Sequence, residues 1–226
     1  MRPYHQGQLD FFCAAYAVIN ALDRLFGLPL ARARDLFATT VEEISAVPGL
    51  WQATLRNHTD FYWLPPYMLA RARTLYSLPF TVIRPFPHPA LPAKEKGEHE
   101  EEDPLAPRHL DLENAERLHS AYDCKGLERD VLWAELGEWF AKKPGMRSML
   151  LRFRRYLPYS DDPVVQHWTA AESMRGEELV FRDASRDPGA IFSLYRESTD
   201  ISALRGVRKE LLVLEPPSIL LVERTA

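Results

Sequence analysis

Cys13-Ala-Ala-Tyr-Ala-Val-Ile-Asn-Ala-Leu-Asp-Arg-Leu-Phe26 reads as a helix that begins on a thiol. Its small and apolar side chains fall on more than one side near the start, so the first half is expected to be buried. Gly27 supplies a stop and Pro29 prevents continuation. The first turn of any helix holds N–H groups with no intrahelical acceptor, and these favour a thiolate over a thiol. Gln8-Leu-Asp-Phe-Phe leads into the thiol. The competing reading is that a cysteine flanked by Phe11, Phe12 and Ala14 is a small buried hydrophobe.

Downstream, residues 30–46 read as a second helix, with Thr39-Thr40 weakening its middle. Shorter helices are expected at 49–57 and 64–76, and Pro65-Pro66 suits the first turn of the latter. Pro79-Phe-Thr-Val-Ile-Arg84 is a short strand. Residues 85–107 then break the pattern with repeated prolines and the acidic run Glu98-His-Glu-Glu-Glu-Asp103, which reads as a solvated loop insertion. A further helix covers 130–141, closed by Lys142-Lys143 and Pro144-Gly145. Strands follow at 146–156, 164–171, 178–183 and 218–223. Helices first and sheet second make an α+β fold, a single domain over residues 1–226 with the insertion at about 85–107.

The chain has 226 residues, 46% hydrophobic and 27% charged, with a net charge of −4, so a nucleic-acid-binding role is disfavoured. The N-terminus lacks the apolar core of a secretory signal, and no apolar run reaches membrane-spanning length. A cytoplasmic location is the expectation, with no membrane partner. The two cysteines, Cys13 and Cys124, have neither zinc-ligand nor CxxC spacing. No metal and no cofactor are expected.

The thiol gains meaning from His167, in the strand Val164-Val-Gln-His-Trp-Thr-Ala-Ala171, and from Asp183, at the end of Glu178-Leu-Val-Phe-Arg-Asp183. A turn at 174–177 pairs these strands. Residues 167 and 183 are equidistant from position 175, so a simple hairpin sets them opposite one another. Cross-strand Cβ atoms lie about 5 Å apart, close enough for a carboxylate to hold an imidazole. The alternative for Asp183 is to cap the Ala184–Pro188 turn. Trp168 points away from His167 on a regular strand and packs behind the sheet if His167 faces a cleft; it is also a candidate substrate contact. Acyl transfer needs donors aimed at an oxyanion. The Cys13 N–H is one, and the amide of Gln8 or of Gln6 is the second. Asp161 and Asp162, just before the histidine strand, are candidate substrate contacts for a basic side chain. Arg147, Arg152, Arg154 and Arg155 make a local basic patch, for which internal salt bridges or solvation is the favoured account.

Gln8-x4-Cys13 with its small-residue helix, followed far downstream by His167-Trp168 and Asp183, resembles the papain-like cysteine peptidase superfamily, and within it the C39-like peptidases that include bacteriocin-leader-processing enzymes. Leu132-x3-Leu136 with Pro144 before a strand is similar to their helix-to-strand segment. Ala14 stands where many of these enzymes have glycine. The resemblance implies a papain-like fold, with the nucleophile helix packed on an antiparallel sheet. It also implies a peptide or protein substrate and a site in which Cys13 is the nucleophile, His167 the general base, Asp183 the orienting acid and Gln8 the oxyanion donor.

These residue types leave three outcomes open: hydrolysis of a peptide or amide, transglutaminase- or deamidase-like acyl transfer, and an inactive papain-like domain that binds protein. For the last, Trp51, Phe61-Tyr-Trp63 and Tyr67 are either a partner surface or, by the better prior, core.

Overall fold

In the computed structural model, helix α1 spans Cys13–Phe26, and Gly27 ends it in the left-handed conformation (φ 64°), its N–H donating to the Asp23 carbonyl at 2.8 Å. The structure describes residues 12–55, 63–86, 129–156, 164–184, 193–195 and 211–225. Ala14, Ala15, Ala17 and Ala21 are buried, and these short side chains let α1 lie close upon the sheet. Helices α2 (Leu30–Ser45), α3 (Leu50–Leu55) and α4 (Leu64–Tyr76) pack around it. Thr40 does not interrupt α2. Its buried hydroxyl donates to the Leu36 carbonyl at 2.7 Å, one turn back, and is satisfied there. Pro65 and Pro66 occupy the first turn of α4, where a missing N–H costs nothing.

A seven-stranded sheet backs these helices: β1 (Phe80–Ile83), β2 (Arg147–Tyr156), β3 (Val164–Arg175), β4 (Glu178–Arg182), β5 (Ser193–Tyr195), β6 (Leu211–Leu214) and β7 (Leu220–Arg224). Their order is β1-β7-β2-β3-β4-β5, and every pairing is antiparallel. β7 pairs with the first part of β2 and β6 with the last, joined by a short turn of 3₁₀ helix at Pro216–Ser218. Helix α5 (Arg129–Lys142) covers the other face with Leu132, Trp133, Leu136, Trp139 and Phe140. That spacing is one helical stripe.

Two apolar cores result. One joins α1–α4 to Leu150, Trp168, Ala170, Leu220 and Val222. The other joins α5 to Met149, Leu151, Phe153, Ala171, Phe181 and Leu221. β2 therefore buries consecutive residues, Met149 through Phe153, because both of its faces are covered. Two of its arginines are paired inside rather than displayed. Arg147 Nε donates to Glu223 Oε2 at 2.7 Å and lies over the Trp139 ring, while Arg152 Nη1 donates to buried Glu215 at 2.7 Å. Trp51 and Trp63 pack partly buried against the α1 core, and the Tyr67 hydroxyl donates to Glu43. The acidic insertion at 85–107 falls outside the described residues beyond Phe86. Among the described residues no helix is long and apolar enough to cross a membrane.

Candidate active site

Phe12 precedes α1 and offers no side-chain cap. The Tyr16 N–H donates to the Phe12 carbonyl at 3.0 Å, so the N–H groups of Cys13, Ala14 and Ala15 have no acceptor within the helix. Cys13 is a free, partly buried thiol at that open end.

His167 lies where β3 enters the core: Gln166 is exposed, His167 partly so, and Trp168 is buried. Its cross-strand partner is Phe153, whose ring meets the imidazole edge-on at 5.5 Å and stacks in turn on Phe181 at 5.9 Å. Trp168 projects into the α1 core at 2% exposure.

His167 Nε2 and Asp183 Oδ2 are 2.8 Å apart, with side-chain exposures of 17% and 2%. The histidine stands at the rim and the aspartate beneath it. Cys13 lies near enough to the His167 ring to favour its charged form. Cys13, His167 and Asp183 thus form one continuous run across the ends of α1, β3 and β4.

The way Asp183 arrives differs from a simple hairpin centred on position 175. The turn is Gly176-Glu177, with Gly176 at φ 60°. From it, Arg175 pairs with Glu178, Met174 with Leu179 and Ser173 with Val180. Pairing then resumes at Ala171 with Phe181 and Ala170 with Arg182, so Glu172 is the extra residue of a β-bulge. Continued by one residue, this register sets Asp183 across from Thr169. His167 and Asp183 are therefore diagonal neighbours on one face, at a Cα separation of about 7–8 Å that two side chains can span. Without the bulge, Asp183 would fall opposite Ala170, on the other face of the sheet.

The imidazole's affinity for a proton follows from these contacts. Burial, the largest single influence, opposes the charged form. The hydrogen bond to Asp183 and its negative charge, together with the nearby Cys13 sulfur, outweigh it, and the His167 pKa is raised from 6.5 to about 10. His167 is accordingly an imidazolium at neutral pH, able to donate a proton.

Gln8, Gln6, Asp161 and Asp162 lie outside the described residues. No group of three or more His, Cys, Asp or Glu side chains arranged to hold a metal ion occurs among the described residues. Sequence reasoning missed Phe153, the bulge at Glu172, and a buried ion pair between Arg182 and Asp23. For the pair a signal existed, since both charges interrupt apolar segments. For the bulge none did. No family model, no curated protein and no solved structure matches this chain.

Proposed function

We propose that this chain is a papain-like cysteine hydrolase that cleaves a peptide or amide bond through a thioester. The observation that carries the reading is the His167–Asp183 hydrogen bond, with the Cys13 thiol near the same imidazole at the N-terminus of α1. The Cys13 thiolate attacks the substrate carbonyl carbon, and the carbonyl oxygen becomes an oxyanion facing the Cys13 N–H, with Gln8 or Gln6 as the second donor. The C–N bond then breaks, and His167 gives its proton to the leaving amine. Water attacks the thioester while His167 takes its proton. The thiolate departs, and the product is a carboxylic acid. Asp183 holds the ring throughout.

The substrate is a peptide or protein, and no cofactor enters these steps. A cytoplasmic site suits the reading, because a free thiol stays reduced there.

Alkylation of Cys13 by iodoacetamide, followed against pH with peptide mapping to separate Cys124, tests it. Modification near neutral pH is expected to be fast and to be lost in His167→Ala. A Cys13 that reacts no faster than a simple thiol, with no response to His167→Ala, removes the hydrolase reading and favours a binding domain.

A further inference from the structure

A one-residue slip in strand pairing moves every side chain to the opposite face. The β3–β4 hairpin has two registers open to it from the same Gly176-Glu177 turn. With the bulge, Arg182 pairs with Ala170 and lies on the α1 face, while Asp183 lies on the face of His167. Without it, Arg182 would oppose Ala171 and point into the apolar layer beneath α5, and Asp183 would point away from His167.

What separates the registers is a charge placed inside α1. Asp23 is 1% exposed on its side chain and Arg182 is 9% exposed, and Arg182 Nη2 donates to Asp23 Oδ2. This partner is reached only in the bulged register. In the other, a guanidinium would face Met149, Phe153 and the α5 side chains, and the Asp23 carboxylate would lose its arginine inside the core. Burying an unpaired charge is among the costliest errors a fold can make. The bulge residue is tied to the same group: Glu172 Oε2 lies 3.7 Å from Arg182 Nη1 and 3.9 Å from Arg24 Nε.

We propose that Arg182 and Asp23 are positioning residues for the Cys13–His167–Asp183 site, their buried ion pair selecting the bulged register that delivers Asp183 to His167. The inference rests on reading that site as catalytic, and it names two residues that touch neither the thiol nor the imidazole. Replacing a buried ion pair by apolar side chains of similar size often preserves stability, so the pair's stabilising and register-setting roles are separable.

The test follows the His167 ring by NMR against pH in three full-length proteins: wild type, the double variant Asp23→Leu/Arg182→Met, and Arg182→Lys. Thermal melting reports folding, and Cys13 alkylation at pH 7 reports the site. The double variant is expected to melt cooperatively while its His167 titration falls from about 10 toward 6.5. Its alkylation should slow by at least about tenfold, the equivalent of one pKa unit. Arg182→Lys keeps a cation on the α1 face and is expected to retain the wild-type titration. A folded double variant with unchanged titration and unchanged alkylation overturns the proposal. If the double variant does not fold, Asp23→Asn is read in the same way, and an unchanged titration there overturns it equally. Should wild-type Cys13 prove unreactive while the double variant still loses the His167 shift, the hydrolase reading fails and the register role stands.

Discussion

Replacing Asp183 by asparagine removes one charge and little else. The Asn oxygen can still accept from His167 Nε2–H, so the ring orientation at the 2.8 Å contact is retained while the carboxylate's negative charge is lost. The rise of His167 from 6.5 to about 10 corresponds to about 5 kcal/mol in favour of the protonated ring, at ~1.36 kcal/mol per pKa unit. That total is shared between Asp183 and Cys13, working against burial. A hydrogen bond to a charged group contributes about 1.5–3 kcal/mol net, which converts to roughly 1–2 pKa units. The imidazolium is present below the folded-state pKa and is lost as pH rises through it. In Asp183→Asn that loss is expected to move down by the same ~1–2 units. Titration of ¹³C-labelled histidine by NMR measures it directly. The alkaline limb of any hydrolytic pH profile should shift with it, because protonation of the leaving amine requires the imidazolium. A folded Asp183→Asn protein whose His167 still titrates near 10 would refute the argument that Asp183 holds the proton there.

Two stability measurements probe the frame around the site. Trp168→Ala removes a 2%-exposed indole from the α1 core and is expected to cost about 3–5 kcal/mol in urea denaturation; a loss under about 1 kcal/mol would show that the ring is not a packing residue. Thr169 Oγ1 is buried with no hydrogen-bond partner among the described residues, so Thr169→Val is expected to raise stability by about 1–3 kcal/mol. A lower urea midpoint in that variant would instead point to a polar group that depends on the hydroxyl.

The local elements were legible in the sequence, because each is set by a short-range rule. The reach of α1 to Phe26 follows from a left-handed glycine at position 27, and the start of α4 from prolines that have no N–H to lose. The break before β2 follows from Pro144-Gly145, with Gly145 at φ 80°. The three-residue β5 and four-residue β6 are too short to carry a period, and only pairing with longer neighbours defines them. The arginines of β2 suggested a patch or internal bridges, and the choice depended on Glu215 and Glu223, which are far away in the chain.

By itself, then, the sequence determined an α+β chain with a thiol opening a buried helix, followed by a strand carrying His167 and a return strand ending at Asp183. Residue type and period are enough for that. The meeting of those three side chains was decided by tertiary structure. A strand pattern has period two, and one inserted residue reverses which face a carboxylate occupies. The bulge at Glu172 makes that reversal, and the difference between the two registers lies in a charge pair between Arg182 and Asp23, which are remote from each other in the chain. Local periodicity cannot report a long-range pairing of this kind, because its free energy exists only once the helix has packed against the sheet.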